Sequence, residues 1–337
     1  MAQRSKQLQS VGVIGGGAWG TALAQSLRKA GRDVLLWARD PEVVSGINER
    51  HRNDARLPGL ALDPELRATA TIAAAAASDF LLITVPAQQM RAVAALLQPH
   101  VDKQKTIVVC AKGYELGTGL SMSAVVLQSL EIMPAVLSGP SFASDVARGL
   151  PMAVALAAFD IQSANRLAAA IGHRNFRVYS TRDLVGVQMG GAVKNVLAIA
   201  AGIVAGRQLG ASAQAALVTR AFHELFEFGR HVGAKRETLT GLSCLGDLIL
   251  TCNSAQSRNF TLGRLLGEDR TLQEALAATS GTVEGIDTAA VLDGLVRREK
   301  LTIEMPIAAA VHRIISGAAT IDDAIGELLS RPQRVES

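Results

Sequence analysis

Two lysines and one aspartate interrupt runs of small and apolar residues, where charged side chains are uncommon. Lys194 follows Gly190 and Gly191 in a helical pattern, Lys112 ends a predicted strand, and Asp247 lies in a Leu-Gly-Asp-Leu segment. A desolvated lysine near another cation has a lowered pKa and can act as a general acid or base. Each helical glycine costs about 1 kcal/mol relative to alanine, which indicates that a backbone or a cofactor comes close. The alternatives are an interdomain salt bridge for Lys194 and a lysine reaching solvent for Lys112.

Other polar residues occupy turns where a ligand could meet them. Gly139 and Ser141 follow a further predicted strand and offer backbone N–H and hydroxyl groups. Arg258, within Ser-Arg-Asn, has the planar fork that suits a phosphate. Glu284 could hydrogen-bond cofactor groups, although a helix cap or an exposed charge is equally open. The six histidines have no metal-ligand spacing and no Gly-x-Ser-x-Gly elbow occurs, so we expect hydride transfer and no metal site.

A glycine turn near the start of the chain predicts a dinucleotide site. Gly15, Gly17 and Gly20 form Gly-x-Gly-x-x-Gly between an apolar strand pattern and a helical run, and a second strand pattern follows within about thirty residues. Gly15 allows the tight turn, Gly17 lets a pyrophosphate approach the backbone, and Gly20 allows close packing of helix on strand. The helix N-terminus then offers free N–H groups to the phosphates.

The residues after the second strand leave cofactor selectivity open. Arg39 could pair with a 2′-phosphate or stack on adenine, and Asp40 is one position further along. We favour NADPH, with NADH also used. A solvated loop charge is the alternative for Arg39.

Short apolar runs alternate with helical patterns over the first half, which predicts a doubly wound Rossmann-type α/β sheet. The predicted strands cover residues 11–14, 34–37, 80–85, 107–111, 135–138, 152–157 and 176–179. Helices are expected at 21–28 and 41–49 and in the alanine-rich run 72–78, and residues 1–9 should be frayed.

The pattern changes after Asp183, where no strand is predicted. Helical runs are expected at 185–205, 213–231, 239–250, 261–266, 272–277, 285–297, 305–315 and 321–329. We therefore predict a dinucleotide-binding domain at 1–185 and an all-helical substrate-binding domain at 186–337.

Bulk composition narrows the class of protein. The chain has 337 residues, is 49% hydrophobic and carries a net charge of +4, with lysine and arginine scattered rather than clustered. That distribution argues against a nucleic-acid partner. Three cysteines without a Cys-x-x-Cys pair argue against a disulfide framework. Arg4 and Lys6 precede an apolar stretch, but it holds the glycine turn, so a cleaved signal is not expected. The later apolar segment 195–206 is too short for a membrane span, and we expect a cytoplasmic location.

The motifs, taken together and in this order, resemble the bacterial NAD(P)-dependent glycerol-3-phosphate dehydrogenase family. The resemblance runs from the glycine turn to the Met305-Pro306 region, nearly the whole chain. The stretches that carry it are residues 15–24, 111–113, 138–143, 190–195, 243–252, 257–259 and 283–285. The resemblance implies an oxidoreductase that interconverts sn-glycerol 3-phosphate and dihydroxyacetone phosphate with NADPH or NADH. Such an enzyme supplies glycerol 3-phosphate for phospholipid synthesis.

The resemblance also implies roles for individual residues. Lys194 matches the catalytic lysine, which would protonate the ketone oxygen as hydride reaches the substrate. The substrate-binding positions are Lys112, Gly139, Ser141, Lys194, Asp247, Ser257, Arg258 and Asn259. The cofactor-binding positions are Gly15, Gly17, Ala18, Trp19, Gly20, Arg39, Lys112, Ala143, Arg258 and Glu284. Asp247 could orient Lys194 or bind a substrate hydroxyl.

The chain departs from the family pattern at three places. Ala18 stands where many members carry serine. In Gly113-Tyr114-Glu115, the residue after Ala-Lys-Gly is more often aliphatic in the family. Ser243-Cys244 stands where small or apolar residues are usual. Alanine at position 18 removes a hydroxyl donor to the pyrophosphate, but the backbone N–H donors of the turn remain.

Two other functions fit parts of the sequence. A hydroxyacid dehydrogenase or ketopantoate-type reductase shares the two-domain plan but needs no phosphate clamp. A dinucleotide-sensing protein would keep the glycine turn without needing a lysine in a glycine-flanked helix. We expect a homodimer, for which the apolar helical half could supply a surface.

Overall fold

An eight-stranded sheet forms the first half of the computed structural model, which describes residues 8–298 and 303–332. The strands are β1 (Ser10–Ile14), β2 (Asp33–Trp37), β3 (Arg67–Thr69), β4 (Phe80–Ile83), β5 (Thr106–Val109), β6 (Ala135–Ser138), β7 (Met152–Ala157) and β8 (Phe176–Thr181). Their order across the sheet is β3-β2-β1-β4-β5-β6-β7-β8. The first six run parallel, and β7 pairs antiparallel with β6 and parallel with β8. The predicted Rossmann-type sheet is therefore confirmed, with two reversed strands added at one edge.

Helices cover both faces of this sheet because its strands are apolar on both sides. They are α1 (Ala18–Lys29), α2 (Pro41–Arg50), α3 (Ile72–Ala76), α4 (Met90–Leu97), α5 (Met122–Leu130), α6 (Ala143–Arg148) and α7 (Ile161–Ile171). Two separate apolar clusters form, one on each face. The parallel strands β1, β4, β5 and β6 therefore direct their carboxyl ends to one edge, where the chain turns into the site.

The second half of the described chain is helical, as predicted. Its elements are α8 (Leu184–Gly206), α9 (Ala211–His231), α10 (Arg236–Leu239), α11 (Asp247–Cys252), α12 (Arg258–Gly267), α13 (Leu272–Ala278), α14 (Glu284–Arg298), α15 (Pro306–Ile315) and α16 (Ile321–Ser330). Most of α8 is buried, and its side chains form the centre of a third apolar cluster. The boundary at residue 185 falls next to the start of α8 and stays a prediction.

Several predicted boundaries were wrong, each for a local reason. Strand β3 was missed because three residues carry too little periodicity. The helix predicted at 239–250 is divided: α10 ends at Leu239, a π-helical turn covers Leu242–Gly246, and α11 follows. Glycines at 241 and 246 accompany that break. Leu8 packs into the core, so the fraying expected for 1–9 is wrong there, and residues 1–7 lie outside the described residues.

The segment 195–206 is the second half of α8, whose bounds nearly match the helical run predicted at 185–205. Helix α8 has 23 residues and is long and apolar enough to cross a membrane, but 89% of its most apolar stretch is buried inside the protein. The other helices surround it, so its hydrophobicity is that of a core helix.

Candidate active site

Asp247 lies between two lysine ammonium groups at the junction of the two halves. Lys194 on α8 donates from Nζ to Asp247 Oδ1 across 2.9 Å, and Lys112, three residues after β5, donates from Nζ to Asp247 Oδ2 across 2.6 Å. Lys194 and Asp247 are buried, and the Lys112 side chain is 17% exposed. Residues distant in sequence thus form one charged cluster with a net positive charge.

Burial and mutual charge shift the pKa values of this cluster. Burial lowers the pKa of Lys194 from its ordinary value to about 8, the Asp247 carboxylate opposes that effect, and the Lys112 ammonium adds to it. Burial alone would raise the pKa of Asp247, but the two lysines outweigh it and hold that pKa below its usual value. A lysine that titrates near neutral pH suits proton transfer.

Each lysine retains one N–H after its protein contacts within the described residues are counted. Lys112 also donates to the Gly139 carbonyl at 2.9 Å, and Lys194 also donates to Thr251 Oγ1 at 2.6 Å. An ammonium group has three donors, so one on each lysine is available for an oxygen in the adjoining space. Two donors converging near one carboxylate can bind a polar, anionic ligand.

Thr251 is a site residue that the sequence reading did not assign. Its hydroxyl accepts from Lys194 Nζ and donates to Asp247 Oδ1 across 3.2 Å. Asp247 and Thr251 are four residues apart at the two ends of one turn of α11, so their side chains share a face. That i, i+4 spacing was the available signal.

The glycines of α8 allow this approach, as the sequence indicated. A Cβ on Gly190 would lie 2.1 Å from Cys244 Sγ, and one on Gly191 would lie 2.5 Å from Ser138 Oγ and 3.3 Å from Lys112 Cγ. The first contact seats the π-helical turn before Asp247, and the second admits Lys112. The Ser243 backbone carbonyl also lies 2.8 Å from that Cβ position on Gly190, so contacts within the protein explain both glycines without a cofactor.

Gly139 and Ser141 lie beside Lys112 at the end of β6. The Gly139 carbonyl accepts from Lys112, and the Ser141 hydroxyl also donates to it across 3.0 Å. The φ of Gly139 is +155°, and an added Cβ would lie 2.8 Å from the Val154 backbone. The carbonyl therefore positions the lysine, a role the sequence did not suggest.

The Ser-Arg-Asn segment opens α12. Ser257 caps this helix by accepting from Phe260 N, and the Arg258 side chain is exposed with its Nη1 beside Gly281. Asn259 is buried, donates to Asn195 Oδ1 and accepts from Gly285 N, both at 3.0 Å. Arg258 is thus the member of this segment whose charged group is open to a ligand, whereas the side chains of Ser257 and Asn259 are engaged within the protein.

The glycine turn between β1 and α1 has the geometry of a phosphate cradle. Gly15 has a φ of +128°, and a Cβ on Gly20 would lie 1.9 Å from the Gly15 carbonyl oxygen, so both need glycine. A Cβ on Gly17 would meet nothing within 4 Å, which places open space beside the turn. Helix α1 begins at Ala18 without a side-chain cap or an acidic residue in its first turn, so its N–H groups can meet an anion.

Trp19 and Glu284, two of the expected cofactor-binding residues, each have a buried polar atom without a partner among the described residues. Trp19 Nε1 has none, and Glu284 Oε2 has none although Glu284 Oε1 accepts from Ala87 N across 3.0 Å. Burial raises the pKa of Glu284, and the Ala87 N–H opposes that rise. Orphaned polar atoms of this kind are explained by a polar ligand, so these residues fit a dinucleotide. Ala143 begins α6 and packs against the cluster that contains α1 residues.

Arg39 and Asp40 differ in their engagement. Asp40 caps α2, its carboxylate accepting from Glu42 N across 3.0 Å. Arg39 is exposed, and no ion pair or hydrogen bond of its side chain occurs within the described part of the chain. The arginine is therefore the freer of the two for a ligand at the end of β2.

Comparison with known proteins identifies relatives over nearly the full length. A family model described as NAD-dependent glycerol-3-phosphate dehydrogenase N-terminus matches residues 10–164, and its C-terminal counterpart matches residues 183–326. Proteins named glycerol-3-phosphate dehydrogenase (NAD(P)+) from Parvibaculum lavamentivorans and Rhodospirillum rubrum are 52% and 51% identical, covering 98% of this chain and 98% and 94% of their own lengths. A crystal structure of glycerol-3-phosphate dehydrogenase from Coxiella burnetii superposes with a TM-score of 0.91 at 37% identity, covering 96% of this chain and 99% of that one.

Proposed function

The chain belongs to the family of NAD-dependent glycerol-3-phosphate dehydrogenases, and from that premise we propose the roles of its individual residues. The enzyme interconverts sn-glycerol 3-phosphate and dihydroxyacetone phosphate with NAD(P). The observation that carries the assignment of the reacting centre is the cluster of Lys194, Asp247 and Lys112, with its two unused N–H donors.

Lys194 is the general acid and base at the substrate oxygen. When bound, the nicotinamide supplies or accepts the hydride at C4. In the reducing direction, the free N–H of Lys194 stabilises the oxygen as negative charge develops there and delivers its proton. Asp247 and Thr251 hold the ammonium group by hydrogen bonds of 2.9 and 2.6 Å, which fixes its orientation. Among the two roles the sequence left open for Asp247, this contact supports the orienting one.

Arg258 and Lys112 bind the anionic substrate. Arg258 presents its fork at the N-terminus of α12, where the helix dipole also favours a phosphate. Lys112 adds positive charge through its remaining N–H and keeps the pKa of Lys194 low. We place Gly139, Ser141, Ser257 and Asn259 around the same substrate. The Gly139 carbonyl holds Lys112, Ser141 donates to that carbonyl, and Ser257 caps the helix that presents Arg258.

The cofactor contacts follow the glycine turn. Gly15, Gly17, Ala18 and Gly20 offer backbone to the pyrophosphate, and Trp19 Nε1 and Glu284 Oε2 supply a donor and an acceptor that the protein leaves unpaired. Arg39, the less engaged residue at the end of β2, favours a 2′-phosphate and hence NADPH. Ala143, Arg258 and Lys112 complete the set.

The wider biology is part of the same proposal. Supply of glycerol 3-phosphate for phospholipid synthesis follows from the reaction, and a cytoplasmic location is consistent with three free, buried cysteines. A homodimer is supported by apolar side chains at one edge of the sheet, since Phe159 is 74% exposed and Tyr179, on edge strand β8, is 53% exposed. Light scattering tests it: a monomeric mass would refute the dimer.

Absorbance of the reduced nicotinamide tests the proposed site directly. Purified wild-type and Lys194→Ala proteins are mixed with dihydroxyacetone phosphate and NADPH or NADH in parallel. We expect the wild type to oxidise the reduced nicotinamide. In the variant, kcat should be lower by several orders of magnitude while the affinity for the cofactor is unchanged. A variant with wild-type kcat would remove Lys194 from the reaction. A higher kcat/KM with NADPH that is lost in Arg39→Ala would support the assignment of Arg39.

A further inference from the structure

Asn53 joins the loop between α2 and β3 to the glycine turn, although it belongs to none of the sequence motifs. Its side chain is buried, and Nδ2 donates to the Gly16 carbonyl oxygen at 3.1 Å and to Thr21 Oγ1 at 2.8 Å. Thr21 is itself fully buried on α1, and its N–H donates to the Gly17 carbonyl. One amide therefore connects the glycine turn to the helix whose N-terminus must act with it at the phosphates.

The loop fixes the position of Asn53 by contacts of its own. The Asn53 carbonyl accepts from the N–H groups of Arg56 and Leu57, and Leu57 is buried in the core. Just before it, His51 ends α2 in the left-handed conformation with a φ of 51°. The amide is thus held in place by this loop and by the core.

The contact with Gly16 determines which way the next N–H points. A trans peptide is planar and directs its C=O and its N–H to opposite sides. Since the Gly16 oxygen faces the buried Asn53, the Gly17 N–H faces away from it. No partner for this N–H occurs within residues 8–298 and 303–332. A Cβ on Gly17 would meet nothing within 4 Å, so the turn adjoins open space there.

The other end of the amide is left unsatisfied. Asn53 Oδ1 is buried and has no donor within the described residues. A buried acceptor without a partner is unfavourable, and such groups are concentrated where a function requires the side chain. The contacts that Asn53 does make are those of its NH2 group, one to the glycine turn and one to the first turns of α1.

We propose that Asn53 is a positioning residue of the cofactor site, which locks the Gly16–Gly17 peptide so that the Gly17 N–H is presented to a dinucleotide pyrophosphate. The proposal rests on the proposed cofactor role of the glycine turn. Asn53 acts through the backbone of the turn, so its removal weakens pyrophosphate binding by letting that peptide rotate.

Equilibrium binding to the cofactor-free protein tests this without relying on turnover. Dissociation constants for NADH and for ADP-ribose, which keeps the pyrophosphate but lacks nicotinamide, are measured by fluorescence and calorimetry. Asn53→Ala should raise both by the same factor, about tenfold or more, because both ligands use the same N–H. Asn53→Leu, which fills the space without a donor, should do the same and covers the case in which the alanine variant fails to fold.

Asn48→Ala is the matched control. Asn48 also makes two side-chain hydrogen bonds, to Ala68 O and from Ala68 N, but these hold β3 and do not involve the glycine turn. It should lower the melting temperature and leave both dissociation constants within about twofold. Folded Asn53 variants that bind both ligands like the wild type would overturn the positioning role. A wild-type protein that binds neither ligand would instead overturn the cofactor site itself.

Discussion

Lys194 and Asp247, 53 positions apart in the chain, are joined by a buried hydrogen bond of 2.9 Å that links the central helix α8 to the first residue of α11. The bond gives the carboxylate two effects on the lysine. It directs the ammonium group, and it limits how far burial can lower the pKa of Lys194.

Opposite pH dependences are expected for the two directions of the reaction. Burial lowers the pKa of Lys194 to about 8, with Lys112 adding to the shift and Asp247 opposing it. Ketone reduction needs the protonated lysine, so kcat/KM should be level below about pH 8 and fall roughly tenfold per unit above it. Alcohol oxidation needs the neutral lysine, so its kcat/KM should rise towards about pH 8 and then level.

Initial rates in both directions from about pH 6 to pH 10 measure this. The residual activity of Lys194→Ala should show neither the fall in kcat/KM for ketone reduction nor the rise in kcat/KM for alcohol oxidation. Identical pH profiles in the two directions would contradict the assignment of the proton to this lysine.

Asp247→Asn should change both the pH profile and stability. The variant removes the carboxylate that raises the pKa of Lys194. The fall in kcat/KM for ketone reduction should therefore begin at a lower pH, and kcat should fall by about a hundredfold or more. The buried Lys194 ammonium group would then lack its counter-charge, which should cost about 3–5 kcal/mol of unfolding free energy, and the partly exposed Lys112 would lose the same partner.

Asp183→Asn provides the comparison for that variant. Asp183 is also buried, but its carboxylate accepts from the backbone N–H groups of Gly186 and Lys235 and caps α8. Its change should lower stability and leave the pH profile in place. A shifted profile in both variants would mean that loosening α8, rather than losing the charge, perturbs Lys194.

Arg258→Ala should raise KM for dihydroxyacetone phosphate by about ten- to a hundredfold, because a charge-assisted contact to the phosphate is lost. The effect on non-phosphorylated dihydroxyacetone should be small. Arg264→Ala on the same helix is the control, since Arg264 pairs with Glu268 on the surface, and it should leave both KM values within about twofold. Equal effects of Arg258→Ala on the two substrates would place the phosphate elsewhere.

Local patterns predicted the parts of the site that depend on neighbouring residues. Gly15, Gly17 and Gly20 identify a turn because their spacing and the flanking strand and helix lie within one short segment. Lys112 could be placed at the end of a strand for the same reason, and the structure puts it three residues after β5.

Long-range packing supplies contacts that local sequence patterns do not reveal. Two interpretations of Asp247 were equally compatible with its segment, and the choice depends on Lys112 and Lys194, which lie 135 and 53 positions away. The π-helical turn before Asp247 was missed because it is seated by Cys244 against Gly190, a contact that no local periodicity reveals. Asn53 was missed for the same reason, since it reaches Gly16 from a different loop.

Thr251 provides the sharpest separation of orientation from charge. Thr251→Val keeps the shape of the side chain but removes the oxygen that accepts from Lys194 Nζ at 2.6 Å. Because the Asp247 carboxylate keeps its charge, the change in kcat/KM near pH 8 should shift far less than in Asp247→Asn. The kcat should still fall about tenfold, because the ammonium group is less well directed. Thr251→Ser retains the hydroxyl and should restore most of the loss. Thr279→Val, which removes a buried hydroxyl that donates to Ala275 O at the end of α13, should leave kcat unaltered. Steady-state kinetics over the same pH range would contradict the orienting role if the valine and serine variants lost kcat equally.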